Sequence, residues 1–145
     1  MNIIIEEMSR KQLDEVVDLF FNTFTQVGEE WNRENAKKHI EESFFGECHF
    51  VAKEKNKIIG VLLAFPLTKV AGTELFIDTI AVRPDYQKMG IGTMLINKAF
   101  EYVRLHGFVA VSLQANKKLQ SYHWYKSLGL SETGWIELIK LKKDL

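Results

Sequence analysis

A chain of 145 residues fits a single domain spanning 1–145, since a second hydrophobic core would leave each half small. Hydrophobic residues at 46%, charged residues at 26% and only two prolines exclude a disordered, collagen-like or low-complexity polymer, and ten Phe with three Trp can fill a sizeable core. Nineteen basic residues balance nineteen acidic ones, so no global field draws the chain onto nucleic acid.

Ile3-Ile4-Ile5 reads as a short first strand. Ser9, with Gln12 three residues on, is a capping-box start for a helix whose apolar positions Leu13, Val16, Val17, Phe20 and Phe24 recur at helical spacing. After the break around Gly28, Asn32 caps a second helix running to about Phe45 and ended by Gly46. Cys48–Lys53 and Lys57–Phe65 are strands of a hairpin turning at Glu54-Lys55-Asn56, with Pro66 expected to end or bend the second. Glu74–Val82 is a third strand that Arg83-Pro84-Asp85 cannot continue.

Ile91–His106 carries an apolar stripe of Ile91, Leu95, Ala99 and Val103, flanked by Ile96 and Phe100, and stops at Gly107. Phe108–Leu113 follows as a strand, so strand, helix and strand form a crossover unit with parallel pairing. Lys118–Leu128 is a shorter helix closed by Gly129, and Trp135–Leu141 alternates as a last strand. The expected fold is a mixed α/β sheet, antiparallel early and parallel late.

The single cysteine, Cys48, excludes an internal disulfide, and no Cys/His spacing suits a metal, so no metal is expected. The first residues lack a basic region before their apolar run and no window approaches a membrane span, so the expected setting is cytoplasmic, without a membrane partner.

The chemistry concentrates in Gln87-Lys88-Met89-Gly90-Ile91-Gly92-Thr93. Two glycines at the first turn of a helix bare backbone N–H groups at the positive end of the helix dipole, which makes an anion cradle. A P-loop needs Lys and Ser/Thr directly after its last Gly, where this chain has Thr93-Met94. A dinucleotide fingerprint needs Gly or Ala where Leu95 stands.

What remains, Gln-x-x-Gly-x-Gly after a strand ending Ile80-Ala81-Val82, resembles the pyrophosphate loop of the GNAT superfamily of acyl-CoA-dependent N-acetyltransferases. A second segment agrees: Asn116, then Ser121-Tyr122-His123-Trp124-Tyr125-Lys126-Ser127-Leu128-Gly129-Leu130, is similar to that family's Phe-Tyr-x-x-x-Gly-Phe stretch. The resemblance runs from about Phe50 to Leu130. It implies a GNAT-like, largely antiparallel twisted sheet of six or seven strands, with helices on both faces and a parallel splayed pair at the cofactor site. It also implies that acetyl-CoA is the acyl donor and that backbone amides from Gln87 to Thr93 hold its pyrophosphate. Ile80, Ala81, Val82, Asn116, Ser121 and Tyr125 would complete the contacts, with Asn116 on the pantetheine arm.

Acyl transfer to an amine needs the amine neutral, the developing oxyanion stabilised and the departing thiolate hydrogen-bonded. By the resemblance, the Val82 amide serves the oxyanion and Tyr125 the thiolate, a half-buried aromatic being the less favoured reading of Tyr125. Asp78 is a candidate base or amine-binding anion, or else a strand-end acceptor of backbone hydrogen bonds. His39, His49, His106, His123 and Cys48 read as solvated or core residues. Phe20, Phe21, Phe24, Trp31, Phe44 and Phe45 read as core or cleft wall, and the resemblance implies that the first two helices border the acceptor site. The expected function is transfer of an acetyl group to a primary amine, a small molecule rather than a protein, with a homodimer admitted. The rival is a catalytically silent acyl-CoA sensor or partner subunit.

Overall fold

The computed structural model describes residues 2–45 and 47–145, in two compact units that divide after Gln114. The first unit holds a five-stranded sheet in the order β1 (Ile3–Glu7), β2 (Cys48–Glu54), β3 (Lys57–Lys69), β4 (Gly72–Val82) and β5 (Ala110–Leu113). Neighbouring strands are antiparallel until β5, which runs parallel to β4.

Three helices join these strands: α1 (Leu13–Gln26), α2 (Arg33–Ser43) and α3 (Ile91–His106). Ser9 opens a 3-10 turn leading into α1, and its N–H donates to Gln12 Oε1 at 2.8 Å. Asn32 caps α2 as its sequence suggests, Oδ1 accepting from the Asn35 N–H at 2.7 Å. The expected stop of α2 at Gly46 lies outside the described residues, and the helix itself ends at Ser43.

The two sides of the sheet are told apart by neighbours on β3. Val61 belongs to the apolar cluster that Val16, Val17, Leu19 and Phe20 of α1 share with Ala36 and Ile40 of α2. Gly60, one residue earlier and so facing the other way, lies against α3: a Cβ there would meet Leu95 Cδ1 at 3.1 Å. The absent side chain lets α3 approach, and its stripe of Ile91, Leu95, Ile96 and Ala99 is buried. Helices thus cover both faces.

Three expectations change. Five strands form, not six or seven, because Trp135–Leu141 makes no strand among the described residues: alternation fits a pleated face but needs a partner ladder. Pro66 does not end β3, which runs to Lys69 with Pro66 opposite Leu75. Among the described residues, pairing with β2 stops at Cys48↔Ala64, so no described strand residue pairs with that edge of β3 beyond Ala64, and a residue without N–H is tolerated there. Phe45 is exposed, not core.

The second unit, from Ala115 onward, holds α4 (Gln120–Ser127) and a closing 3-10 turn, Lys142–Asp144.

Cys48 is fully buried in β2, and burial, with Glu47 and Glu7 adding, pushes its thiol from 9.0 up to about 12. Between those values the unfolded chain loses the proton first, so the native state binds more protons and stability falls as pH rises. Urea midpoints measured between pH 7 and 10.5 are expected to drop above about pH 9 in the wild type. Cys48→Ala, less stable at pH 7, should show a shallower alkaline decline, and an equally steep one would remove the thiol as its cause.

Candidate active site

Strand lengths create the site. β5 pairs only with Glu74–Ile77, from Glu74↔Ala110 to Ile77↔Leu113, whereas β4 continues to Val82 beside β3. Among the described residues no strand pairs with the outer edge of 78–82. The Arg83 N–H donates inward to Ile59 O at 2.8 Å, and N–H direction alternates along a strand, so the amides of Ile80 and Val82 face that open edge. Sequence reading singled out the same Val82 amide.

A β-bulge sits at the fork. Leu63 opposes Thr79 while Ala64 opposes Ile77, leaving Asp78 without a residue across from it. The extra residue brings the side chains of Asp78 and Thr79 together on the α2 side, instead of on opposite faces. Asp78 Oδ2 accepts from Ser43 Oγ and, at 3.4 Å, from Thr79 Oγ1. His39 Nε2 lies 3.1 Å from Thr79 Oγ1 and 3.6 Å from Asp78 Oδ2. His39 and Ser43 are four residues apart on α2, which is why both reach one carboxylate. The His39 ring stacks on Phe20 (centroids 5.1 Å apart, planes at 25°) and neighbours Trp31 at 5.2 Å. Trp31, Asn35, Lys38, His39 and Glu42 line an open depression of about 360 Å³.

Past Val82 the chain turns through Pro84–Tyr86, pinned by Tyr86 OH donating to Glu54 Oε1 at 2.7 Å. The Gln87 side chain reaches back, Nε2 donating to Val82 O at 2.9 Å, and the Gln87 N–H is used within the turn, 3.3 Å from Pro84 O. Lys88 (φ 63°) and Gly90 (φ 83°) are both left-handed, a strained choice for Lys and free for Gly, and Gly90 caps α3 with open space where a Cβ would stand. The first helical bond in α3 is Met94 N–H to Gly90 O, so the N–H groups of Ile91, Gly92 and Thr93 have no intrahelical acceptor. A larger hollow of about 750 Å³ lies between α1 and the Arg83-Pro84-Asp85 turn. Its lining mixes both signs of charge and includes none of these amides.

Within the second unit, Asn116 Oδ1 accepts from the Lys118 N–H at 2.9 Å, so its side chain shapes the approach to α4. Lys117 pairs with Glu132 at 3.1 Å, and Tyr122 OH donates to the same carboxylate oxygen at 2.7 Å. Ser121 and Tyr125 stand on α4, and burial pushes the Tyr125 phenol up to about 12. His39 is the residue that sequence reading passed over. No motif contains it; Thr79 meets it directly, and the bulge adds Asp78 to the cluster.

A free strand edge thus runs into a bared helix start. The family model described as "Acetyltransferase (GNAT) family" matches residues 13–130, and the chain belongs to that family. It is 33% identical over 98 residues to the "Probable N-acetyltransferase camello" of Xenopus tropicalis, covering 65% of this chain and 44% of that protein. The chain spans about half the length of most curated relatives it matches. The fold is similar to a "predicted acetyltransferase with acetyl-CoA" from Clostridium acetobutylicum, with TM-score 0.78 and 17% identity over 95% of this chain and 96% of that one. It is also similar to an aminoglycoside acetyltransferase from an uncultured soil metagenomic sample, with TM-score 0.73 and 23% identity over 98% and 100% of the two chains.

The tie between Gln87 and Val82 predicts a local effect. Gln87→Ala should cost about 1 kcal/mol in unfolding free energy. Amide hydrogen exchange should quicken from Arg83 to Thr93 while the β2–β3 amides keep their protection relative to the global value, and an unchanged loop would show that the tie does not hold it.

Proposed function

We propose that residues 1–145 work as one N-acetyltransferase domain that moves the acetyl group of acetyl-CoA to a primary amine. The observation that carries this reading is the open edge of Ile80 and Val82 leading into the free amides of Ile91, Gly92 and Thr93. Backbone donors without partners suit a ligand with carbonyl and amide groups along its arm and a diphosphate at its end. Acetyl-CoA would supply an activated thioester carbonyl and a thiolate leaving group.

On this reading the stretch from Gln87 to Thr93 binds the pyrophosphate, with Lys88 contributing charge. Ile80, Ala81, Asn116 and Ser121 orient the pantetheine arm. The Val82 N–H donates to negative charge developing on the carbonyl oxygen, a contribution of about 3 kcal/mol for a well-aimed donor. Tyr125, with its phenol raised to about 12, keeps its proton at neutral pH and hydrogen-bonds the departing sulfur. Asp78 supplies the negative charge at the acceptor end, as base or as amine-binding anion. A small-molecule amine is the favoured acceptor, in keeping with the aminoglycoside acetyltransferase that shares the fold.

Two measurements test this. Coenzyme A at one hundred times its Kd should stabilise the native chain by about 2.7 kcal/mol, seen as a raised thermal midpoint. Gly92→Val, which places a branched side chain among the first-turn amides, should lose that shift, and an unshifted wild type would remove the cofactor assignment. With acetyl-CoA and a panel of primary amines, thiol release should rise above background and fall about 100-fold in kcat for Tyr125→Phe. A Tyr125→Phe enzyme matching wild type would strip Tyr125 of its role, and no release with any amine would leave the chain a silent acyl-CoA binder.

A further inference from the structure

The cluster on the α2 side of β4 has a directional order. Thr79 Oγ1 lies within 3.4 Å of the Asp78 carboxylate and 3.1 Å of His39 Nε2. A hydroxyl has one proton to give, and the carboxylate, which also accepts from Ser43, can only accept. The Thr79 proton therefore goes to Asp78, and its oxygen accepts from His39 Nε2–H. That chain holds the neutral imidazole with its proton on Nε2 and its lone pair on Nδ1, for which no protein partner is found among the described residues. The side chain is 30% exposed and its ring lines the 360 Å³ depression with Trp31, Asn35, Lys38 and Glu42.

We infer that His39 is the catalytic residue that takes the proton from the acceptor ammonium, at Nδ1, with Thr79 and Asp78 as positioning residues behind it. The inference rests on the acetyl-transfer reading and settles the acceptor end of it: Asp78 acts through His39 and does not receive the proton itself. The groups around the imidazole suit this task. Asp78 on β4 places a carboxylate oxygen 3.6 Å from His39 Nε2. On α2, Glu42 favours an incoming cation and Lys38 opposes it. Phe20 from α1 is uncharged, and Trp31, whose indole N–H is held by Glu29 at 2.8 Å, offers an aromatic surface to an ammonium. Thr79 lies three residues from Val82, about 10 Å along the strand, a span that water can relay.

In the step itself, R–NH₃⁺ gives one proton, through bridging water, to His39 Nδ1. The freed amine lone pair forms the new C–N bond to the acyl carbon, and the C–S bond breaks with its electron pair on sulfur. The second amine proton leaves as the amide forms and ends on the sulfur through solvent. His39 then returns its proton to water.

The experiment compares wild type with His39→Gln in acetylation of one primary amine from pH 6 to 10. The expected loss in kcat/KM is about 100-fold at pH 7, closing as the pH approaches the amine's own pKa near ~10.4, where a base is no longer needed. KM for acetyl-CoA and the midpoint shift with coenzyme A should stay unchanged. A pH-independent loss, or none, overturns the inference and leaves the transferase reading standing; a wild type that acetylates no amine overturns both. Independently of turnover, ¹⁵N chemical shifts of neutral His39 should report the proton on Nε2 in wild type and a tautomer mixture in Thr79→Val and Asp78→Asn. A wild-type proton on Nδ1 overturns the inference.

Discussion

β5 is shorter than its neighbour, and the site depends on that mismatch. β4 runs from Gly72 to Val82 while β5 supplies only Ala110–Leu113, so half of a central strand reaches past its parallel partner. Backbone donors and acceptors left this way carry a free-energy cost unless water or a ligand meets them. A sheet that closed the gap would be more stable and would have nothing to offer an acyl carrier. The second set of bare amides, at the start of α3, has the same origin: helix geometry leaves its first turn without acceptors, and Gly90 and Gly92 keep side chains from covering it. Both sets of bare amides are therefore a property of main chain, made by where elements stop.

The bulge at Asp78 does complementary work. One inserted residue puts two successive side chains on one face, so that a carboxylate and a hydroxyl stand together beneath α2. Helical periodicity then decides which α2 residues meet them. His39 lies at the margin of the buried stripe of Ala36, Ile40 and Ser43, one turn before Ser43. A slip of one residue in the β3–β4 register would send Asp78 to the other face and dissolve the cluster.

What could be read from the residues follows from how local each determinant is. The start of α2 at Asn32, the stop of α3 at Gly107, the hairpin at Glu54-Lys55-Asn56 and the glycine pair before α3 are set within a few positions, and they were legible. Pro66 misled because its tolerance in β3 depends on where β2 begins, at Cys48, eighteen residues earlier in sequence. Trp135–Leu141 misled because alternation describes a surface, not a partner. His39 was invisible for a stricter reason. Its place beside Asp78 rests on a register shift between two other strands, and no periodicity or spacing around position 39 records that.

The division between main chain and side chain has a consequence for how such a fold changes. Along one strand, the edge of Ile80 and Val82 offers groups that every residue type possesses, whereas the face at Asp78 and Thr79 offers groups that substitution alters at once. Replacing residues of the depression, such as Trp31, Asn35 or Glu42, changes the charge and shape presented to an amine while the N–H groups that suit a thioester carrier stay where they are. The open amide edge and the side-chain cluster thus rest on independent features of the same element.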